Sequence, residues 1–125
     1  MLAAQYQVDK HVVKMIVETA QLLSTAHRIL DGEEVIVHLQ HKETGKVRKK
    51  NVWVLPDDRN ESLYACTHRN HPSAVWCRES VENYNWLVDH LYALGNEYTY
   101  RYGKKHATIE KCFYQLQSPP FGLRA

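Results

Sequence analysis

The chain has 125 residues, of which 44% are hydrophobic and 24% charged, so it has the size and composition of one soluble globular domain. It contains no apolar run near the roughly 18 residues of a membrane span, residues 1–10 lack the pattern of a signal peptide, and the net charge of +2 does not by itself indicate nucleic-acid binding. The three cysteines (Cys66, Cys77 and Cys112) are odd in number and widely spaced, which predicts free thiols in a reducing compartment. We therefore expect a cytoplasmic protein that does not insert into a membrane.

The first predicted element is a long helix between Asp9 and Leu30. Asp9 is a suitable N-cap, and Gly32 is predicted to take the left-handed conformation just after the last turn. Apolar residues recur at spacings of three and four, which is the pattern of one buried helix face: Val12, Val13, Ile16, Ala20, Leu23, Ile29 and Leu30.

The segment 34–55 changes to an alternating pattern, which predicts two strands. Gly45 can take the positive φ that closes a short turn, so the strands form a β-hairpin inserted between the helices. The second strand is strongly basic, with Lys46, Arg48, Lys49 and Lys50. This cluster would suit contacts with phosphates, and a charged edge strand that discourages aggregation explains it equally well.

Shorter features are predicted before and after the second long helix. Residues 56–60 resemble a loop, and Pro72 suits the first turn of a short helix that ends near Cys77. From Ser118 the two prolines cannot continue a helix, so the tail is expected to be extended or frayed.

The second long helix is predicted to begin after Ser80, its N-cap, and to end near Tyr102, before Gly103. Its apolar face comprises Tyr84, Leu87, Leu91, Leu94 and Tyr98. The sequence therefore predicts a mainly α, compact single domain (1–125) of two long helices plus short helices, with an inserted hairpin.

Each long helix also carries a polar stripe. The first stripe comprises His11, Lys14, Glu18, Gln21, Thr25 and Arg28, and the second comprises Glu79, Asn83, Trp86, His90, Glu97 and Arg101. Such stripes are often solvated faces with intrahelical pairs such as Lys14 with Glu18. The alternative is a cleft floored by both helices, and His11, Trp86 and His90 favour it, because imidazole and indole groups are less usual on a merely solvated surface.

The loop from Cys66 to Pro72 concentrates a thiol, imidazoles and a guanidinium. Zinc would be the obvious ligand, but Cys66, His68, His71 and Cys77 match no standard ligand spacing, so we expect neither a metal ion nor another cofactor. Asn70 or His71 is predicted to cap the helix that starts at Pro72, with the free N–H groups there facing solvent or an anion.

The first helix, with His11-x6-Glu18 and a closing Gly32, resembles the catalytic helix of the pyrimidine-dimer DNA glycosylases, the phage endonuclease V family. Further along, Asn70-His71-Pro72, the segment Leu87 to Glu97, and Arg101-Tyr102-Gly103 are similar to segments of its cellular members. The resemblance spans most of the chain except the hairpin.

The resemblance implies a DNA-repair enzyme, a glycosylase and AP lyase that acts on damaged or modified bases in double-stranded DNA. An N-terminal amine would form a Schiff base with the sugar, Glu18 would assist base loss and β-elimination, and His11 would lie near the sugar or phosphate. The residues that we predict to bind DNA or another ligand around the cleft are Lys14, Gln21, Arg28, Asn70, His71, Arg78, Asn83, Trp86, His90, Glu97, Arg101 and Lys104.

Two other functions fit the same sequence. One is a non-catalytic phage accessory protein that uses the cleft to bind a nucleotide, DNA or a protein partner. The other is an enzyme for a free nucleotide, in which His90, Glu97 and Lys104 would act. A phage-encoded protein of either kind would work in the host cytoplasm, and the sequence does not indicate an oligomeric state.

Overall fold

A computed structural model describes residues 2–123, with side chains from residue 10 onward. The elements in chain order are α1 (Leu2–Asp31), β1 (Glu33–Gln40), β2 (Val47–Val54), α2 (Arg59–Ser62), α3 (Pro72–Cys77), α4 (Val81–Tyr102), α5 (Ala107–Leu116) and a 3-10 turn (Phe121–Leu123). Within the described range the fold is mainly helical with one two-stranded antiparallel hairpin, which confirms the predicted fold class.

Helix α1 differs from its prediction at both ends. It begins at Leu2 and runs through Asp9, so the prediction of Asp9 as N-cap is wrong. It ends at Asp31, but Gly32 does not adopt a positive φ, so that prediction is wrong too. Glycine is required there for a different reason, because a Cβ at position 32 would collide with the carbonyl oxygens of Arg28 and Val54.

The core forms where α1 packs against α4, with α3 and α5 completing it. The central part of each predicted apolar face is buried, with Ile16 and Leu23 of α1 and Tyr84 and Leu91 of α4 fully buried. Other members of the two faces are less covered, and the half-buried ones are Val13, Ile29, Leu30, Leu94 and Tyr98. Burying a large apolar side chain contributes roughly 1.5–3 kcal/mol, so these two faces account for the pairing of the long helices.

The ends of α3 and α4 follow the sequence closely. His71 is the N-cap of α3, and its side chain accepts a hydrogen bond from the Ser73 N–H. Ser80 caps α4 by accepting from the Asn83 N–H, and Gly103 ends α4 at φ 69°. These caps confirm the predicted helix boundaries.

Two short regions were predicted incorrectly. Residues 59–62, partly within the predicted loop, form helix α2. The segment from Ser118 to Leu123 is not frayed, because the N–H groups of Phe121 and Gly122 each donate to the Asp31 carboxylate at 2.7 Å. The C-terminal end of α1 therefore holds the tail in place.

The hairpin has the predicted form. Its register runs from Glu33 opposite Val54 to Gln40 opposite Val47, and Gly45 lies in the turn at φ 70°. All side chains from 38 to 51 are exposed, while Val35 and Val37 near its start are half-buried. Strands of eight residues span about 25 Å, so the hairpin is an arm that projects from the helices.

Candidate functional site

Glu18 lines a cavity between α1 and the loop that precedes α3. The cavity has a volume of about 390 Å³. Helix α1 contributes Met15, Glu18, Thr19, Gln21 and Leu22, and the loop and first turn of α3 contribute Thr67, His68, His71 and Ser73. One carboxylate, an amide, two imidazoles and hydroxyl groups thus surround a space large enough for a small ligand or an extruded nucleotide.

Polar residues of α1 hold the loop in position. The Thr25 hydroxyl donates to the Thr67 carbonyl at 3.2 Å and accepts from the Thr67 N–H at 3.1 Å. The hydroxyl of Ser24, the residue before Thr25, accepts from the Tyr64 N–H at 3.3 Å. Both α1 side chains are fully buried, so this part of the stripe fixes the cavity wall.

The two loop histidines are held by local backbone geometry. His68 adopts φ 49°, an uncommon conformation for a residue with a side chain, and its carbonyl accepts from the His71 N–H at 2.9 Å. The His71 Nδ1 accepts from the Ser73 N–H at 3.1 Å. Because Nδ1 is the acceptor, neutral His71 carries its hydrogen on Nε2, which can donate to a ligand.

Glu18 is half-exposed, with its side chain at 48% of full accessibility. Lys14 Nζ lies 3.8 Å from Glu18 Oε1, one turn earlier on α1. An exposed pair of this kind contributes little to stability. Because the Glu18 side chain is half-exposed and lines the cavity, its carboxylate is accessible to a ligand there. Glu18, Gln21 and His71 are the predicted site residues that the structure brings together.

Arg28 has a structural role, which corrects its prediction as a ligand-binding residue. It is 4% exposed, and its guanidinium donates to the carbonyl oxygens of Tyr64, Trp53, Asn60 and Leu63 at 2.6 to 3.0 Å. A fifth bond reaches the Asn60 side-chain oxygen at 2.7 Å. Burial lowers the pKa of Arg28, and these bonds leave no donor directed at a ligand.

The stripe of α4 does not line this cavity, so the prediction of one cleft floored by both helices is wrong. Trp86 and His90 stack on each other at 5.4 Å on the outer face of α4. Glu97 and Arg101 form an ion pair at 2.7 Å near its end. The Asn83 amide donates to the Trp76 carbonyl and ties α4 to α3.

The remaining predicted residues also lie outside the cavity lining. His11 and Lys104 are exposed, two turns before Glu18 and just beyond α4 respectively. Asn70 is exposed between the two loop histidines. Arg78 is half-buried, and its Nη1 is enclosed without a hydrogen-bond partner.

His68 and Thr67 were missed as site residues, although the sequence marked their loop as rich in imidazole. Their position depends on the Thr25 bonds described above, which join residues 42 positions apart. Spacing along the chain contains no signal for such a contact.

The base of the hairpin lies against the same loop. Arg69, next to His68, is 3.9 Å from the Glu34 carboxylate of β1, and its guanidinium lies over the Trp53 ring of β2 at 5.9 Å. A molecule bound along the hairpin would therefore pass near the Glu18 cavity.

A second polar cluster lies at the C-terminal end of α1. Arg59 donates to His27 Nδ1 at 2.9 Å and to the Asp31 and Asp57 carboxylates at 2.8 Å, and His27 Nε2 is 2.6 Å from the Tyr84 hydroxyl. The hydrogen bond from Arg59 holds the pKa of Asp57 below its usual value. These groups bind one another, so we assign this cluster a structural role.

The thiols are poorly suited to nucleophilic chemistry. Burial raises the pKa of Cys77 to about 12 and also raises the pKa values of Cys66 and Cys112, which suppresses the reactive thiolate. Among the described side chains, those of residues 10–123, no three histidine, cysteine or acidic residues are arranged to hold a metal ion.

No protein-family model matches the chain, and no match was found among curated proteins or solved structures. The family resemblance therefore remains a prediction. In the part of the chain that the structure describes, no helix is both long and apolar enough to cross a membrane.

Proposed function

We propose that this protein binds double-stranded DNA through the projecting basic hairpin. The observation that carries the proposal is the charge distribution. Residues 38–50 contain five lysines and arginines and one glutamate, a net charge of +4, whereas the whole chain has +2, so the rest of the chain sums to −2. All the side chains in this segment are exposed.

The shape of the hairpin supports this proposal. A two-stranded β-ribbon fits the major groove of B-form DNA. Arg48 and Lys50 lie on one face of the ribbon, and Lys49 lies on the other, opposite His38 in the register. A ribbon with cations on both faces can contact the phosphates of both groove walls.

The direct test is the salt dependence of binding to a short DNA duplex. Each phosphate that the protein neutralises adds about −0.9 to the slope of log affinity against log salt. Replacing Lys49 and Lys50 with glutamine should reduce the magnitude of that slope by about 2 and weaken binding at low salt.

The matched control replaces Lys105 and Lys111 with glutamine. These residues are exposed outside the hairpin, and the double variant has the same net charge as the hairpin variant. If both variants lose the same affinity, binding follows overall charge and the hairpin has no special role. If neither changes the slope, the basic cluster is a charged edge that prevents aggregation, and the proposal is wrong.

A second candidate function is glycosylase or AP-lyase chemistry at the Glu18 cavity. It is favoured by a carboxylate that lines a cavity of suitable size, next to the base of the proposed DNA-binding arm. Glu18 would act as the general acid or base, and the Nε2 hydrogen of His71 would bind a sugar or phosphate oxygen. Lys14 Nζ, 3.8 Å from Glu18 Oε1, is a primary amine that could form the Schiff base.

Borohydride trapping on duplexes with an abasic site or a pyrimidine dimer tests this chemistry. A covalent adduct is expected, with its position identified by mass spectrometry at Lys14 or at another amine. Glu18→Gln should abolish strand cleavage, whereas Glu110→Gln, an exposed control on α5, should not. Absence of an adduct, with cleavage unchanged in Glu18→Gln, would reject the catalytic proposal and leave DNA binding to be decided by the salt experiment.

A further inference from the structure

Two exposed tryptophans form a cluster on the surface where α3 meets α4. The side chain of Trp86 is 58% exposed and that of Trp76 39% exposed. Their rings meet edge to face at 5.9 Å, and the His90 ring stacks on Trp86 at 5.4 Å. Indole groups of this size, left in water on a rigid helix pair, are typical of the central residues of protein interfaces.

Carboxylates flank the cluster. Glu82 and Asp89 lie four residues before and three residues after Trp86, so all three share one face of α4, and both acids are exposed. We call Trp76, Glu82, Trp86, Asp89 and His90 the acidic aromatic patch. This combination disfavours phosphates and favours cationic side chains, which are attracted by carboxylates and by the faces of indole rings.

The same chain carries a complementary surface on the hairpin. Ile36, Val47 and Lys49 lie on one face of the ribbon, because residues 36, 38 and 40 of β1 face 51, 49 and 47 of β2 in the register. Ile36 and Val47 are 60% and 62% exposed. Contacts with phosphates would not require these apolar groups, whereas the indoles of the patch could cover them.

We infer that the acidic aromatic patch binds the hairpin of a second copy of this chain. Lys49 would lie between Glu82 and Asp89, and Ile36 and Val47 would pack on the two tryptophans. The contact joins two different surfaces, so it forms either a closed pair in which both hairpins are exchanged or a head-to-tail chain.

Self-association of the full-length protein, measured without DNA by sedimentation velocity over a range of concentrations, tests this inference. We expect reversible association that weakens as salt increases. Trp86→Ala should weaken it by about tenfold, as expected for a central interface residue. Because no DNA is present, the result is independent of the proposed function.

A charge exchange makes the test specific for this pair of surfaces. Lys49→Glu and Asp89→Lys should each weaken association when studied alone. An equimolar mixture of the two variants should restore it, because the carboxylate introduced at position 49 of the first variant meets the amine introduced at position 89 of the second. Lys111→Glu, an exposed change on α5, is the control and should have little effect.

Three outcomes would overturn the inference. One is a protein that stays monomeric at every concentration, and another is association that persists in Trp86→Ala and in both charge variants. The third is a mixture that associates no better than its components. Circular dichroism of each variant identifies any loss of folding, and recovery in the mixture cannot arise from unfolding.

Discussion

Arg28 connects helix α1 to residues of the segment 53–64, which lie 25 to 36 positions further along the chain. Its guanidinium donates to the Trp53 carbonyl at the end of β2 and to Asn60 of helix α2. It also donates to the carbonyls of Leu63 and Tyr64, which directly follow α2. The base of the hairpin and the start of the cavity loop are therefore positioned by one side chain.

Replacing Arg28 with methionine, which has similar length but no donor, should destabilise the fold by more than about 3 kcal/mol, because several buried carbonyl groups would lose their partners. Chemical denaturation measures this loss. The control is Arg48→Met on the exposed hairpin, for which a change within about 0.5 kcal/mol is expected. Equal stability of the two variants would contradict the role assigned to Arg28.

Glu18 and Arg28 show how far the sequence determines the role of a residue. Both belong to the same polar stripe of α1, ten residues apart, yet Glu18 faces a cavity and Arg28 is buried. Helical spacing predicts which side of the helix a residue occupies. Whether that side is covered depends on where residues 60–67 cross it, and this follows from long-range packing.

Helix α5, like the short helix α2, was not predicted from the sequence. It buries Thr108, Cys112 and Leu116 against the core, and the His106 side chain caps it by accepting from the Thr108 N–H at 3.0 Å. A histidine at an N-cap is a weak sequence signal, because serine, threonine, aspartate and asparagine are the usual residues there.

The stability of the fold should depend on pH through His106. Burial lowers its pKa in the folded protein, so the unfolded chain binds the proton more readily. The stabilising contribution is complete above the unfolded pKa of about 6.5 and is lost as pH falls through the lower folded value. His106→Asn keeps a capping oxygen and removes the titration, so its stability should fall less than that of the wild type between about pH 7.5 and 5.

Thermal unfolding of the two proteins over this pH range provides the measurement. The two proteins are identical at every other position, so the difference between the two curves isolates position 106. If the melting temperatures of the two proteins changed with pH in the same way, protonation of His106 would not affect the cap.

The whole molecule divides into a helical body with a net charge of −2 and an exposed hairpin segment, residues 38–50, with +4. The apolar contacts of the core lie among the helices and at Leu55 and Leu63, with no residue of 38–50 among them. Folding and the proposed DNA binding should therefore be separable.

Replacing residues 37–50 with Asn-Gly, between the opposed residues Ile36 and Asn51, should change stability by no more than about 1 kcal/mol, because most of the removed side chains are exposed. The same change should abolish binding to duplex DNA. Calorimetry of the shortened protein measures its stability, and a titration of the same preparation with duplex DNA measures its binding. If the shortened protein still bound duplex DNA, the DNA-binding surface would lie on the helical body and not on the hairpin.

The sequence by itself determined the two long helices, their buried faces, the caps at Ser80 and Gly103, and the hairpin with its turn at Gly45. These features depend on periodicity and on the conformational preferences of single residues, which are local properties. Only the tertiary structure decided that Asp31 anchors the tail, that Arg28 is structural, and that the Glu18 cavity is closed by the histidine loop and not by α4. Each of these depends on contacts between residues 25 or more positions apart, or on which helix face another segment covers, and neither is encoded in local spacing.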